Sequence, residues 1–199
     1  MATISAEMVK KLRDRSGAGI MDCKEALTEC DGDMEKAADF LRKKGLATAK
    51  KRAGRVAADG VIQSYIHMGG KIGVLVEINC ETDFVAKTDE FREFVKNIAM
   101  HIAASSPLGV VPEDISAELI AREKAIYKDQ ALEMGKPENM IDKIVEGKMN
   151  KFYKDACLMN QQYVRDSNLT ISDVLNDMIG KTGEKISIRR FARFQIGEE

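Results

Sequence analysis

The chain has 199 residues, 44% hydrophobic and 32% charged, with 31 basic against 32 acidic side chains and a net charge of -1. That composition suits a soluble globular protein with a real core, and the near-neutral charge argues against a dedicated nucleic-acid binder, which carries a basic excess. No apolar run approaches the roughly 20 residues that span a bilayer, and MATISAEMVKKLRDRSG lacks the apolar stretch of a secretory signal, so a cytoplasmic protein is the simplest expectation.

Residues 1–45 read as three short helices. Ser5 can cap the first, with Glu7 in its opening turn and Met8, Val9 and Leu12 facing inward. Gly17-Ala18-Gly19 ends it. The second puts Ile20, Cys23, Ala26, Leu27 and Cys30 on one stripe at spacings of three and four. After the Asp31-Gly32-Asp33 turn, Asp33 can cap a third helix carrying Met34, Ala37, Phe40 and Leu41, expected to stop at Gly45. Residues 46–60 are small, basic and punctuated by glycine. They read as a linker, helical at most at its start, and with Arg42, Lys43 and Lys44 they form a local basic cluster. Such a cluster is either a solvated face or a contact for RNA or an acidic partner.

The period changes over 61–199, an expected α+β core domain. Two strand-like runs, Val61–His67 and Ile72–Ile78, flank Gly69-Gly70, a two-residue hairpin signal because the favoured turn needs positive φ twice. Thr82-Asp83-Phe84-Val85 then breaks the run as a helix start. Thr88 can cap a strong amphipathic helix with Phe91, Phe94, Val95, Ile98, Ala99 and Ile102 on its stripe. Residues 116–150 read as a helical hairpin broken at Gly135-Lys136-Pro137, with an apolar stripe (Ile120, Ile126, Leu132, Ile141, Ile144, Val145, Met149) exceeding what one hairpin needs, a surplus that a second subunit could cover. Residues 151–168 show no clear period. Residues 170–180 read as a short helix, and Ile186–Ile196 as a third strand completing an antiparallel sheet with one face on the helices.

No catalytic constellation emerges. The cysteines are Cys23, Cys30, Cys80 and Cys157, without a CxxC pair and with only His67 and His101 as histidines, which gives a zinc site little support. Cys23 and Cys30 read as core thiols, while Cys80 or Cys157 could be an exposed thiol linking subunits. Gly180-Lys181-Thr182-Gly183 resembles the end of a phosphate loop, but position 175 is Leu where that motif needs Gly. A Cys80–His67 nucleophile pair lacks a third group and an oxyanion hole. The absence of catalytic signal points to a protein acting by binding. On the residues alone, Phe84 beside a capping Thr reads as a core residue at a strand–helix corner or as an exposed contact.

Two stretches, LRDRSGAGIMDCKEAL (Leu12–Leu27) and EINCETDFVAK (Glu77–Lys87), closely resemble the two signature stretches of the elongation factor Ts family. AADGVI, HIAAS, KIVEGKMNKF and RFARFQIGE follow in the family's order. The resemblance implies a guanine-nucleotide exchange factor for elongation factor Tu, with no cofactor of its own and no covalent chemistry. It implies a three-helix domain of ubiquitin-associated type, a linker, and an α+β core with a protruding antiparallel helical hairpin. Longer members carry two related core subdomains; this chain shows one copy of the SYIHMGGKIGVLVEI hairpin, resembling the short members that form homodimers. By resemblance Phe84 wedges into the partner's GTPase domain near its Mg²⁺ site, Asp83 bonds or caps nearby, and Thr82 and Val85 frame them. Arg13, Ile20, Met21 and Lys24 match positions that grip a helix of the partner, and His67 matches a residue presented from a second subdomain. The alternative from another class is an RNA- or ribosome-binding module using the basic 42–55 segment.

Overall fold

The computed structural model describes residues 4–198 and is an α+β fold. Three helices come first: α1 (Ala6–Ser16), α2 (Ile20–Glu29) and α3 (Met34–Arg52). Strands β1 (Asp59–Ile66) and β2 (Ile72–Cys80) lead through the one-turn α4 (Asp83–Ala86) into α5 (Asp89–Ser105). Helices α6 (Ala117–Glu133) and α7 (Glu138–Ala156) follow, then β3 (Gln162–Tyr163), β4 (Asp166–Thr170), α8 (Ile171–Thr182) and β5 (Ser187–Gln195). The antiparallel three-stranded sheet has the order β1-β2-β5, and β3 pairs with β4 in a separate two-stranded ribbon. The chain divides into two compact units. The first takes its described residues from Met1–Val61, Ile78–Phe94 and Asp173–Ser187, the second from Ile62–Glu77, Val95–Ser172 and Ile188–Glu199.

In the first unit the caps fall where their chemistry predicts. Ser5 Oγ accepts the Met8 N–H at 3.2 Å, and Asp33 Oδ1 accepts the Glu35 and Lys36 N–H groups at 3.0 and 3.1 Å. Leu12, Cys23, Ala26, Leu27 and Ala37 are buried together, with Met8, Val9, Met34, Phe40 and Leu41 packed around them. Two expectations fail here. Ile20 is on the first turn of α2 but 56% exposed, outside that core. Gly45 does not stop α3, which runs on to Arg52 and so takes in the start of the basic segment. The reason is packing: Gly45 is buried, and a Cβ on Gly180 of α8 would stand 3.1 Å from the Gly45 Cα. Helix α3 needs a glycine in mid-course because another backbone passes there, and helix propensity yields to that close approach.

In the second unit the β1–β2 connection keeps its two glycines but is longer than two residues. His67 N–H bonds the Ile72 carbonyl at 2.9 Å, leaving Met68–Lys71 as a four-residue loop, with Gly69 at φ 88° and Gly70 at φ 68°. Helices α6 and α7 are joined through Gly135 at φ 65°, and Lys148 of α7 reaches Gln130 of α6 at 2.6 Å. Ile141 and Met149 are buried, whereas Ile126 and Leu132 are exposed. Residues 151–168, without a readable period, extend α7 to Ala156 and then form the β3–β4 ribbon. The buried His101 and Gln161 explain that ribbon's neighbourhood. His101 Nε2 bonds Gln161 Oε1 at 2.9 Å, and His101 Nδ1 accepts the Val164 N–H at 3.3 Å. This pattern is that of a neutral ring protonated on Nε2. Gln161 Nε2 donates to the Asp155 carbonyl at 2.6 Å, so the buried polar pair is satisfied.

Three predictions follow from these packings. Gly147, inside α7, has nothing within 4 Å of where a Cβ would stand. Urea titrations should show Gly147→Ala stabilising by about 0.5–1 kcal/mol, through helix propensity and a less disordered unfolded chain. In the same assay Gly45→Val should destabilise by about 1–3 kcal/mol, because the added methyls meet backbone. His101 supplies the third. Burial pushes its pKa below the ordinary value of 6.5, against the smaller opposite effect of the Gln161 bond. The unfolded chain therefore binds the proton more tightly, so the contribution is full above the ordinary value and is lost as pH falls from there through the lowered folded-state pKa. Thermal melts should show a lower Tm at pH of about 5.5 than at about 7.5, with a smaller drop in His101→Gln.

Candidate functional site

Strand β2 buries Val74, Val76, Ile78 and Cys80 in alternation and delivers the chain to the corner at Glu81-Thr82. Thr82 is extended (φ -132°, ψ 154°) and caps α4, its Oγ1 accepting the Val85 N–H at 3.5 Å. Helix α4 is a single turn, too short to persist on local bonding. Ala86 is buried beneath it, and Thr88 closes it by donating to the Val85 carbonyl at 2.8 Å while accepting the Phe91 N–H at 3.3 Å to start α5. The corner is thus held by two threonine caps six residues apart in sequence. Phe84 stands out of it, 79% exposed. Asp83 pairs with Lys87 one turn on at 2.5 Å, and that hydrogen bond holds its carboxyl below the ordinary carboxylate range.

Two carboxylates that the sequence reading did not single out as functional cross at this corner. Glu184 lies in the turn after α8, past Gly183 at φ 67°. Its Oε2 accepts the Glu81 and Thr82 N–H groups, both at 3.1 Å, and its Oε1 accepts the Thr82 hydroxyl at 2.6 Å. Glu81 answers: its Oε1 accepts the Lys185 N–H at 2.6 Å and its Oε2 accepts from Arg55 at 3.0 Å. The Lys185 bond, then Arg55 and Arg52, keep Glu81 below the ordinary carboxylate range although burial works the other way. Lys185 Nζ in turn donates to the Ala53 and Arg55 carbonyls, both at 2.8 Å. No spacing rule connects residues a hundred positions apart, so this crossing was invisible in the sequence.

The second predicted group lies in the same unit. Arg13, Ile20, Met21 and Lys24 are all exposed around the Gly17-Ala18-Gly19 turn, Met21 at 72%, and Met21 and Lys24 edge a shallow depression with Glu25, Thr28 and Glu29. Lys181 ties the turn to the start of α5. It bridges Asp177 at 2.9 Å and Glu90 at 3.5 Å, and a Cβ on Gly17 (φ 67°) would collide with its tail at 2.7 Å. That is the structural use of the Gly180-Lys181-Thr182-Gly183 run: a helix end, with Thr182 donating to the Met178 carbonyl, rather than a phosphate loop. His67 belongs to the other unit, exposed, with Nδ1 3.1 Å from the Tyr65 hydroxyl.

The cysteines correct an expectation. Cys80 and Cys157 are both fully buried, so neither is an exposed thiol able to link subunits. Burial, followed by the charges of Glu184 and Asp59, pushes Cys80 up to about 11, and its thiol donates to the Thr82 carbonyl at 3.2 Å. Raising the pKa cuts the thiolate fraction at neutral pH, and the thiolate is the nucleophile. Within the basic segment, Arg42 pairs with Asp173 at 2.8 Å, Lys44 with Asp22 at 2.7 Å and Glu25 at 2.6 Å, and Arg52 and Arg55 with Glu81.

An exposed aromatic ring on a pinned corner and an exposed Ile–Met pair on a helix are features of surfaces that dock other proteins. Comparison with known proteins supplies the family. The family model described as elongation factor TS matches residues 35–198. A protein named elongation factor Ts from Desulfosudis oleivorans is 63% identical over 198 residues, covering 100% of both chains. Its namesake from Syntrophobacter fumaroxidans is 59% identical over 196 residues and 98% of each chain. Another, from Desulforamulus reducens, is 59% identical over 198 residues, 100% of this chain and 91% of its own. The class is that of a translation elongation factor. The chain belongs to the elongation factor Ts family.

Proposed function

We propose that this protein is a guanine-nucleotide exchange factor for elongation factor Tu, acting in the cytoplasm by binding alone, without covalent chemistry. The observation that carries the reading is Phe84, 79% exposed on a helical turn capped at both ends. A phenylalanine kept in water forgoes about 1.5–3 kcal/mol of burial, which a pocket on another protein restores. Partner GTPases hold guanine nucleotide through backbone amides, a lysine and Mg²⁺ bridging phosphate oxygens. A factor that binds the nucleotide-free partner best must, by linkage, weaken nucleotide affinity by the same factor. Phe84 is the wedge that disturbs the Mg²⁺ and phosphate environment, Asp83 bonds beside it, and Thr82 and Val85 fix their stance. Arg13, Ile20, Met21 and Lys24 form a second grip, on a helix of the partner.

The working form in this reading is a homodimer. Ile62 and Ile66 of β1, Leu75 of β2 and Phe194 of β5 are exposed. A Cβ on Gly73 would stand 3.2 Å from Ile66 Cδ1, which puts β1 and β2 side chains on a shared apolar face. The sheet of a second copy, stacked about 10 Å away, removes that face from water. His67 then reaches the elongation factor Tu molecule held by the other subunit. The RNA-binding reading of the 42–55 segment loses support, because intramolecular pairs occupy Arg42, Lys44, Arg52 and Arg55 and nucleic-acid affinity scales with the cations offered to phosphate.

Release of fluorescent GDP from elongation factor Tu is the test. The parent should accelerate it, and Phe84→Ala should lose about 30-fold or more of that acceleration, the equivalent of a hot-spot truncation of about 2 kcal/mol or above; an Ala variant as active as the parent overturns the wedge. Light scattering should give twice the chain mass for the parent and a monomer for Leu75→Lys, whereas a monomeric parent overturns the dimer.

A further inference from the structure

The sequence Thr82-Asp83-Phe84-Val85 begins a helix without the means to finish its own cap. In a capping box the third helical residue is Glu or Gln, whose side chain returns to the N-cap N–H. Here that residue is Val85, which has no acceptor to offer. The Glu81 and Thr82 N–H groups therefore need a partner from elsewhere. Glu184 supplies it to both at 3.1 Å and takes the Thr82 hydroxyl as well, at 2.6 Å. That third bond has a second effect. A hydroxyl donating to a carboxylate turns its lone pairs away from it, toward the Val85 N–H.

Glu184 is itself held. Its neighbour Lys185 is fixed through its backbone N–H by Glu81 and through its ammonium by the last carbonyls around the α3 end. The two glutamates thus reach past one another, each side chain on the other's local backbone. All of these residues lie in the first unit.

We propose that Glu184 is a positioning residue of the exchange surface: by closing the cap that Val85 cannot, it holds Phe84 in the outward stance from which the ring enters the partner. The proposal rests on the exchange reading of Phe84. An ordered wedge loses little freedom on docking, whereas a frayed corner must be ordered at that moment and spends binding free energy doing so.

The test is GDP release from elongation factor Tu by four full-length chains: parent, Phe84→Ala, Glu184→Ala and Glu184→Gln, plus the double variant Phe84→Ala/Glu184→Ala. Glu184→Ala should slow release at saturating factor by about tenfold or more, as misplacement of a positioned group does. Glu184→Gln keeps a carbonyl oxygen for the two N–H groups and should recover to within about threefold of the parent. In the Phe84→Ala background, removing Glu184 should change little, because a positioning residue has nothing left to position. A Glu184→Ala chain as fast as the parent overturns the proposal. So does a Gln variant as slow as Ala, or a Glu184 effect undiminished without the ring, which would mean a general structural role. If Phe84→Ala itself matches the parent, the exchange reading fails first, so the two failures are distinguishable.

Discussion

The structure turns on holding one phenylalanine ring in water. Burying it in this chain would be favourable by about 1.5–3 kcal/mol, and a four-residue helix cannot resist that pull on its own hydrogen bonds. The resistance comes from outside the turn. Ala86 is sunk beneath it, Thr82 and Thr88 cap its ends, and Glu184 secures the backbone that enters it. Those anchors in turn require β2 to be buried on alternate residues and α5 to keep its Phe91–Ile102 stripe dry. The exposed ring sits at the corner between the end of β2 and the start of α5.

The same logic governs the charges around the corner. The acidic and basic side chains there are committed to one another: Glu81 with Arg52 and Arg55, Asp83 with Lys87, Lys181 with Asp177 and Glu90. Asp83–Lys87, exposed on both sides, contributes little to stability by itself, while the Glu81 and Lys181 pairs are partly buried. Their use is geometric, fixing which backbone lies beside which. Cys80, at the end of β2, is buried, and that burial raises its pKa to about 11, which suppresses its thiolate.

Much of this was legible in the sequence because it is local. The caps at Ser5, Asp33, Thr82 and Thr88 follow from side-chain oxygens within three residues of an orphan N–H. The α5 stripe follows from helical period, and the glycine turn of the β1–β2 hairpin from its need for positive φ. What failed was non-local. Gly45 looked like a stop but serves a crossing with Gly180, and no pattern in α3 announces a backbone from α8. Ile20 satisfied the core period of α2, yet at the helix's first turn it had no neighbour to cover it and stayed exposed. Cys80 and Cys157 were assigned by chemistry rather than burial. Of the candidate site, the corner and its ring were readable, and the partner pocket came from family resemblance alone. Glu184 was not readable at all, since it acts across a gap with no period.

The central claim is that Phe84 is exposed in the free protein and enclosed by elongation factor Tu. Its direct measurement is fluorine NMR on a chain carrying 4-fluorophenylalanine, with the Phe84 resonance assigned by substitution. The free protein should show a single Phe84 signal with a full H₂O/D₂O solvent shift, and addition of nucleotide-free elongation factor Tu should move the signal and abolish that shift. A ring that keeps its solvent shift in the complex would contradict the account.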